Sequence, residues 1–577
     1  MKLSILLSIL SSGSLVFSAS SPASKHSLCR CLAGDSCFPN TSAFSKLQTQ
    51  VSQPLVHPVP PAAVCYPGAL AGNCTAVLSN WGDGNWRANQ VGASESQNFE
   101  SYVFSNGTIS ACYKETSLGI PCGQGSVPVI GVDARSASDV QAAVEFAVKY
   151  NLKLVVKNTG HDYFGRSSGR GSFVVWTHNM KDIEYHATFV PQGAEHRAPS
   201  STALTIGAGV QWHEAYDAVN AQNQTMVGGA SVGGSVGAAG GWLMGGGHSA
   251  LSPFHGLGVD NVLEMTVVIA SGELLTVNEY QHTDLFWALR GGGGGTFGIV
   301  TSVTYRTYPN FGLIAGYFVA SANNSDVMRK VFTEYVRIHP KLSDDGWSGY
   351  GSLNNNSMTV FYIMPNKTWD QAQASINPFF IWADALQSEG LTISSNATYP
   401  FPSFYSWYGA TFALGEQNGI NIQTGSRLLP RESFEKDYKR LADVMFDMGS
   451  LSLNFVGGGQ LAKINPDSVA VNPAWRKTLV HITFGVVWPD GASVDVINKS
   501  IEVLKGKTAS IRDITPTSGA YFNEASLYET NPQYTFFGDH YPALKLIKLK
   551  YDPFSLFVVQ EGVGSEEWNS DLTCRRY

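Results

Sequence analysis

The stretch Leu152-Lys153-Leu154-Val155-Val156-Lys157-Asn158-Thr159-Gly160-His161-Asp162-Tyr163-Phe164-Gly165 sets the frame of this chain. Leu152 to Val156 is an apolar run with the length and branching of a buried strand. It runs into a polar loop in which His161 stands between Gly160 and Gly165. Further glycine turns follow at Gly228-Gly229, Gly233-Gly234, Gly240-Gly241, Gly245-Gly246-Gly247 and Gly291 to Gly295. Glycine lets backbone N–H groups approach a pyrophosphate closely and adopt positive φ at little steric cost. One such cluster is ordinary turn chemistry. Five clusters bracketed by strand patterns predict a cradle for a large phosphate-bearing cofactor. A histidine on such a loop can serve as nucleophile, base or tether.

The flanking periodicities give an α+β chain. Upstream, Pro128 to Val132 reads as a strand, and Ser136 and Ser138 are N-cap candidates. Ser138 with Gln141 forms a capping-box pattern, and Val140, Val144, Ala147 and Val148 form one helical face. Downstream, Ser172 to Trp176 and Ala203 to Ile206 read as strands, and Val262 to Ala270 with Leu274 to Val277 as a hairpin around Gly272. Asp284 to Leu289 reads as a short helix, and Ile299 to Tyr305 as a strand. From about Phe311 the glycine clusters thin and aromatic residues increase. Asp326 to His339 and Glu432 to Met448 have helical periodicity, while Ser352 to Met364 and Thr478 to Trp488 read as strands. This predicts a second region of antiparallel sheet covered by helices. A helical stretch at Lys545 to Lys550 lies in the closing segment.

The chain has 577 residues, roughly three to four domain-sized units. With 44% hydrophobic and 14% charged residues it is globular, and a net charge of −7 argues against a nucleic-acid partner. Lys2, the apolar Leu3 to Val16 and the small residues Ser18, Ala19 and Ser20 read as a signal peptide over residues 1–19, implying secretion. No stretch approaches ~20 uninterrupted apolar residues, so no membrane span is expected. Seven of eight cysteines, Cys29, Cys31, Cys37, Cys65, Cys74, Cys112 and Cys122, crowd the N-terminal quarter, and Cys574 sits near the end. The spacing suits disulfides pinning an N-terminal extension better than zinc, with Cys574 a candidate to bridge back; connectivity stays open. Nine N-x-S/T sequons, at Asn40, Asn73, Asn106, Asn223, Asn323, Asn355, Asn366, Asn396 and Asn498, predict a glycosylated surface.

Three blocks together resemble the berberine-bridge-enzyme-like branch of the vanillyl-alcohol-oxidase (PCMH-type) flavoproteins. They are the His161 loop; Val227 to Asn261 continuing into Leu289 to Val300; and Tyr521-Phe522-Asn523-Glu524-Ala525 with Phe537-Gly538 and Tyr551 to Phe557. The resemblance implies a Cys-rich extension over 20–121 and a two-subdomain FAD-binding unit over 122–310. It further implies a substrate domain over 311–514 and a segment over 515–577 returning to complete the FAD lobe.

It also implies roles. His161 would bond covalently to the 8α carbon of FAD. Lys157, Asn158, Thr159, Gly160, Asp162 and Gly165 would hold the cofactor from the same loop. Gly228, Gly229, Ser231, Val232, Gly233, Gly234, Gly237, Gly240, Gly241, Gly247 and Val259 would do so from the second block. Gly298, Ile299, Val300 and Asn523 complete the expected set. Many relatives carry a second tether, a cysteine near Ser231 to Val236. None is present here, so one covalent link is expected. Ala238 and Ala239 fall near the position that controls oxygen access in relatives. Where several relatives have a tyrosine base, this chain has Glu524, whose pKa is expected to be raised by an apolar flavin face. Tyr521, Tyr163, Tyr216 and Gln460 are candidate pocket residues; Tyr405, Trp407 and Tyr408 form either an aromatic wall or a core cluster.

The expected activity is that of an oxidase moving a hydride from a small alcohol, amine or carbon acid to flavin N5, with molecular oxygen reduced to hydrogen peroxide. A dehydrogenase with another acceptor, or a catalytically silent flavin-binding glycoprotein, are the alternatives. Gly291 to Gly295 is not a nucleotide phosphate loop, because no Lys-Ser/Thr follows, and no convincing nicotinamide fingerprint occurs. His248 and His255 have no ligand set nearby in sequence, so no metal is expected.

Overall fold

The computed structural model describes residues 28–68, 72–195, 197–413 and 418–576. The expected signal peptide lies outside these residues. A three-stranded parallel sheet holds β1 (Ile130–Asp133), β2 (Leu154–Lys157) and β3 (Phe173–Trp176) in the order β1-β3-β2. Helix α1 (Ala137–Lys149) crosses from β1 to β2 and buries Val140, Ala143, Val144 and Ala147. Its cap differs from the Ser138/Gln141 expectation. Ser136 is the N-cap, and Asp139 closes the box, because that carboxylate also accepts from the backbone of Arg135 and Ser52. The extension is thereby tied to the helix start.

A five-stranded antiparallel sheet follows: β4 (Ile183–Phe189), β5 (Ser201–Gly207), β6 (Val262–Val268), β7 (Leu274–Asn278) and β8 (Ile299–Arg306), in the order β7-β6-β8-β5-β4. The predicted hairpin around Gly272 is the β6-β7 pair, in which Leu274 faces Val268. Helix α2 (Trp212–Asn220) buries Trp212, Ala215, Tyr216 and Val219.

The middle region is a seven-stranded antiparallel sheet. Its strands are β9 (Leu313–Ala322), β10 (Ser348–Asn354), β11 (Ser357–Pro365), β12 (Leu391–Phe401), β13 (Asn421–Pro430), β14 (Leu451–Phe455) and β15 (Thr478–Trp488). Their order is β12-β9-β11-β10-β14-β15-β13. Helices α3 (Ser325–Asp345), α4 (Trp369–Ala385), α5 (Arg431–Asp447) and α6 (Val494–Asp513) accompany it. The single strand expected over Ser352 to Met364 is instead split between β10 and β11. The Asn354 side chain accepts from the backbone N–H of Asn356 and Ser357 and turns the chain. Helix α3 passes His339 and Pro340 and ends at Gly346, whose left-handed φ of 102° lets its N–H cap Leu342 and Ser343.

The closing segment packs back on the first lobe. Tyr521, Phe522, Phe536, Phe537 and Leu544 share one core with Leu204, Trp212 and Phe297. Four disulfides, Cys29–Cys574, Cys31–Cys37, Cys65–Cys74 and Cys112–Cys122, use every cysteine, and the first joins the two ends of the described chain. Such pairing suits an oxidising compartment. Among the described residues no helix is long and apolar enough to cross a membrane.

One buried pair dominates the extension. Arg87 is fully buried, and its guanidinium bonds Glu100 and the Ser94 carbonyl. Arg87→Met should destabilise the fold by about 3–5 kcal/mol, because Glu100 would remain as an uncompensated buried charge. The midpoint of urea unfolding checks this; a loss below about 1 kcal/mol would show that Glu100 does not depend on Arg87.

Candidate active site

Strand β2 delivers the His161 loop to a cleft between the parallel sheet, the start of β8 and the glycine block. Asn158, Thr159, Gly160, His161 and Asp162 line one wall. Gly237, Gly240 and Gly241 line a second, and Gly298, Ile299 and Val300 a third. Gly234 serves the turn instead: its φ is +63°, and a Cβ would stand 2.6 Å from the His213 backbone nitrogen. A Cβ on Gly241, by contrast, would meet nothing within 4 Å, so this wall is shaped to be approached. Asn158 Oδ1 and Arg166 Nη1 are buried beside the cleft with no hydrogen-bond partner among the described residues. Buried polar atoms of this kind call for a ligand with complementary donors and acceptors. A cationic guanidinium, an amide and backbone N–H groups around a long cleft fit FAD.

His161 lies in this cleft with Nε2 2.8 Å from Ser235 Oγ and 3.9 Å from Glu95 Oε1. Burial pushes its pKa down to about 3, so the imidazole is neutral at working pH. Lys157 points away, donating to the Gln90 carbonyl at 2.7 Å, and burial lowers its pKa to about 7.

The third block docks beside the glycine wall. Asn523 Nδ2 donates to the Gly241 carbonyl at 2.7 Å, and Tyr521 Oη donates to the Trp242 carbonyl at 3.1 Å. Arg166 Nη2 donates to Asn523 Oδ1 at 3.1 Å. Gly241 and Trp242 line the cleft; Glu524, the residue after Asn523, does not, and nor does Tyr521. The Glu524 carboxylate accepts from His248 Nε2 at 3.2 Å and from His481 Nε2 at 2.8 Å, with 25% of the side chain exposed. The expected upward pKa shift is corrected here. Burial does oppose ionisation, but the nearby His248 and His481 imidazoles, each hydrogen-bonded to the carboxylate, outweigh it and hold the carboxyl below the usual glutamate range. Burial also lowers the pKa of His481 and raises that of Tyr521 well above its ordinary value.

Several expected pocket residues lie elsewhere. Tyr216 is 2% exposed in an aromatic core with Trp212, Phe404 and Tyr408, and its hydroxyl donates to the Gly229 carbonyl at 2.9 Å. Tyr408 donates to the Ser231 carbonyl, and Trp407 is buried, so these two belong to a core cluster, whereas Tyr405 reaches Asp217 near the surface. Gln460 lines a separate cleft with His255, Arg290 and Tyr308. Tyr163 packs against the core, and its carbonyl accepts from Gln423. Gly165, Gly228, Gly229, Val232, Gly233, Gly247 and Val259 do not line the cofactor cleft; Gly247 packs against Trp242, and Val259 N–H bonds the Gly246 carbonyl. Of the two alanines, Ala239 lines the cleft, while the Ala238 carbonyl accepts from Tyr305.

Thr177, Ala208 and Arg166 also line the cleft, and none of them belongs to the five glycine clusters or to the expected cofactor set. His481 went unmarked because its strand pattern reads as core. In sequence His248 has no ligand set nearby; folding brings it His481 and Glu524, all with ligand atoms within 4.8 Å of one another.

Residues 128–278 match the FAD binding domain model and residues 520–564 the berberine and berberine-like model. An uncharacterized FAD-linked oxidoreductase of Arthroderma benhamiae is 36% identical over 95% of this chain and 96% of its own. A VAO-type flavoprotein oxidase of Thermothelomyces thermophilus, VAO615, is 33% identical over 95% of both chains. The crystal structure of the VAO-type flavoprotein MtVAO713 from Myceliophthora thermophila superposes with a TM-score of 0.86 at 26% identity, over 95% of this chain and all of that one. With its glycine-walled cleft and docked C-terminal segment, this chain belongs to the VAO-type FAD-linked oxidoreductases that carry a berberine-like closing segment.

Proposed function

We propose that the protein is a secreted oxidase, singly tethered to FAD through His161, that oxidises a small alcohol, amine or carbon acid and passes the electrons to molecular oxygen. The observation that carries this reading is the Glu524 carboxylate clamped by His248 and His481, one residue beyond Asn523, whose side chain bonds the glycine wall of the cleft. Bound FAD supplies a two-electron acceptor that takes the substrate's hydride equivalent and yields hydrogen peroxide when oxygen reoxidises it. The chain's own residues do the rest. Glu524, already ionised, accepts the substrate O–H or N–H proton. Arg166 and Asn158 offer a buried donor and a buried acceptor to polar groups of the cofactor. His161, neutral and buried, presents a nucleophilic ring to the cleft. No cysteine lies between Cys122 and Cys574, which supports one link rather than two. Ala239 leaves space for oxygen at the cleft wall. The middle sheet, whose β15 carries His481, contributes the substrate side.

Secretion is supported by the four disulfides and by the sequons: eight of their nine asparagines are exposed, and Asn396 is half-buried. The test is a panel of sugars, aromatic alcohols and secondary-metabolite alcohols, followed anaerobically by flavin bleaching and in air by peroxide release. The expected result is bleaching with matching peroxide. Bleaching without peroxide would make the protein a dehydrogenase with another acceptor. A flavin that no member of the panel bleaches would favour the silent flavin-binding glycoprotein.

A further inference from the structure

The His248–Glu524–His481 cluster lends itself to two readings, because two imidazoles and a carboxylate also make a metal-ligand set. Geometry separates them. A metal-bound histidine donates its second ring N–H to a fixed partner. His248 Nδ1 is buried and has no hydrogen-bond partner among the described residues. That is the environment of a bare ring nitrogen, not of an N–H, and it puts the ring's proton on Nε2, facing Glu524 Oε1 at 3.2 Å. His481 is fully buried on β15, between β14 and the edge strand β13, and its Nε2 lies 2.8 Å from Oε2. The carboxylate is thus clamped at both oxygens. Four aromatic contacts lock the clamp: Tyr521 lies edge-on to both imidazoles, and Trp475 packs against both.

We infer that His481 is a positioning residue: its Nε2–H, seconded by that of His248, fixes the Glu524 carboxylate in the orientation and charge state that receive the substrate proton. This rests on the reading of Glu524 as the proton acceptor. In the step, the substrate O–H or N–H bond breaks, its proton forming a new O–H bond on Glu524 and its electron pair staying to make the C=O or C=N bond, while the adjacent C–H bond breaks and its pair leaves with the hydrogen as the hydride that bound FAD would accept. The two bonds are unequal. The longer one, to His248, is the one that yields when the carboxyl carries the proton, while His481 holds the other oxygen in place.

The groups facing Glu524 are His248 from the glycine block, His481 from β15, Tyr521 from its own segment and Tyr350 from β10. Both tyrosines have raised pKa values from burial, so neither titrates in the acid range. Neither tyrosine therefore contributes to an acid titration of the carboxylate.

The experiment uses the purified holoenzyme and needs no substrate. The infrared carboxylic-acid band of Glu524, assigned by its loss in Glu524→Gln, is followed as pH falls. In the native protein the band should appear only below the ordinary glutamate range near 4.3. In His481→Phe, which keeps volume and removes the donor, the midpoint should rise by about one unit or more, and His481→Gln, which restores an N–H, should return it part of the way. Thermal unfolding of each variant shows that it has folded. An unchanged midpoint in folded His481→Phe would overturn the inference. So would one equivalent of transition metal in the native protein, released by acid as the band appears. Failure of Glu524→Gln to slow flavin reduction would instead remove the proton-acceptor reading while leaving the clamp standing.

Discussion

His161→Ala protein precipitated with acid is expected to leave a colourless pellet and a yellow supernatant, whereas the native protein should keep its colour in the pellet. The expected effect is complete loss of acid-stable flavin, with FAD still bound before denaturation. The reason lies in the division of labour along the cleft. His161 contributes one imidazole to a wall that also contains Asn158, Thr159, Gly237, Gly240 and Gly241, so the space that receives the cofactor survives the truncation. What disappears is the only ring nitrogen pair presented from that loop. Burial lowers the His161 pKa to about 3, so at any working pH the ring has a free lone pair, the form in which nitrogen is a nucleophile. Ser235, 2.8 Å from Nε2, holds the ring's orientation. A yellow pellet from His161→Ala would move the tether to another residue.

Glu524→Gln is expected to slow flavin reduction by about 10²- to 10⁴-fold, the span ascribed to a positioned general base, or about 3–5 kcal/mol of barrier. Reoxidation by oxygen needs no substrate proton acceptor and should be unchanged. Glutamine keeps the shape, and its amide oxygen can still accept from one imidazole, so the loss reports chemistry more than packing. The pH dependence has a definite sign. The carboxylate is the active form, and His248 and His481 hold its pKa below the usual value. As pH falls through the ordinary glutamate range near 4.3, native flavin reduction should therefore persist, and it should fail only below the depressed pKa. A profile that collapses at ordinary glutamate pKa would contradict the clamp. Equal slowing of reduction and reoxidation in Glu524→Gln would remove Glu524 as the base.

Much of the first lobe was legible because its signals are local. The β2 run, the α1 apolar face and the β6-β7 hairpin each follow from periodicity within a dozen residues, and they sit within two or three residues of expectation. The Ser138/Gln141 box failed because Asp139 had a better use: its carboxylate also binds Ser52, 87 residues away, which no local pattern reports. The β10-β11 break was hidden by the apolar residues on both sides of the Asn354 turn. Tyr216 was drawn toward the pocket by its chemistry alone; its place on the buried face of α2 assigns it to the core.

By itself the sequence determined the His161 loop, the glycine wall and the absence of a cysteine over Ser231 to Val236. Those properties are carried by residue types in short stretches, where backbone sterics and side-chain chemistry act directly. Only the tertiary structure decided what surrounds Glu524. Its partners stand 276 and 43 residues away, and its pKa is set by their approach to 3.2 and 2.8 Å. From the chain alone, a carboxyl near an apolar cofactor site reads as one that burial keeps protonated. Folding places two imidazole donors against it, and at such distances in a low-dielectric site their effect exceeds the cost of burying the charge.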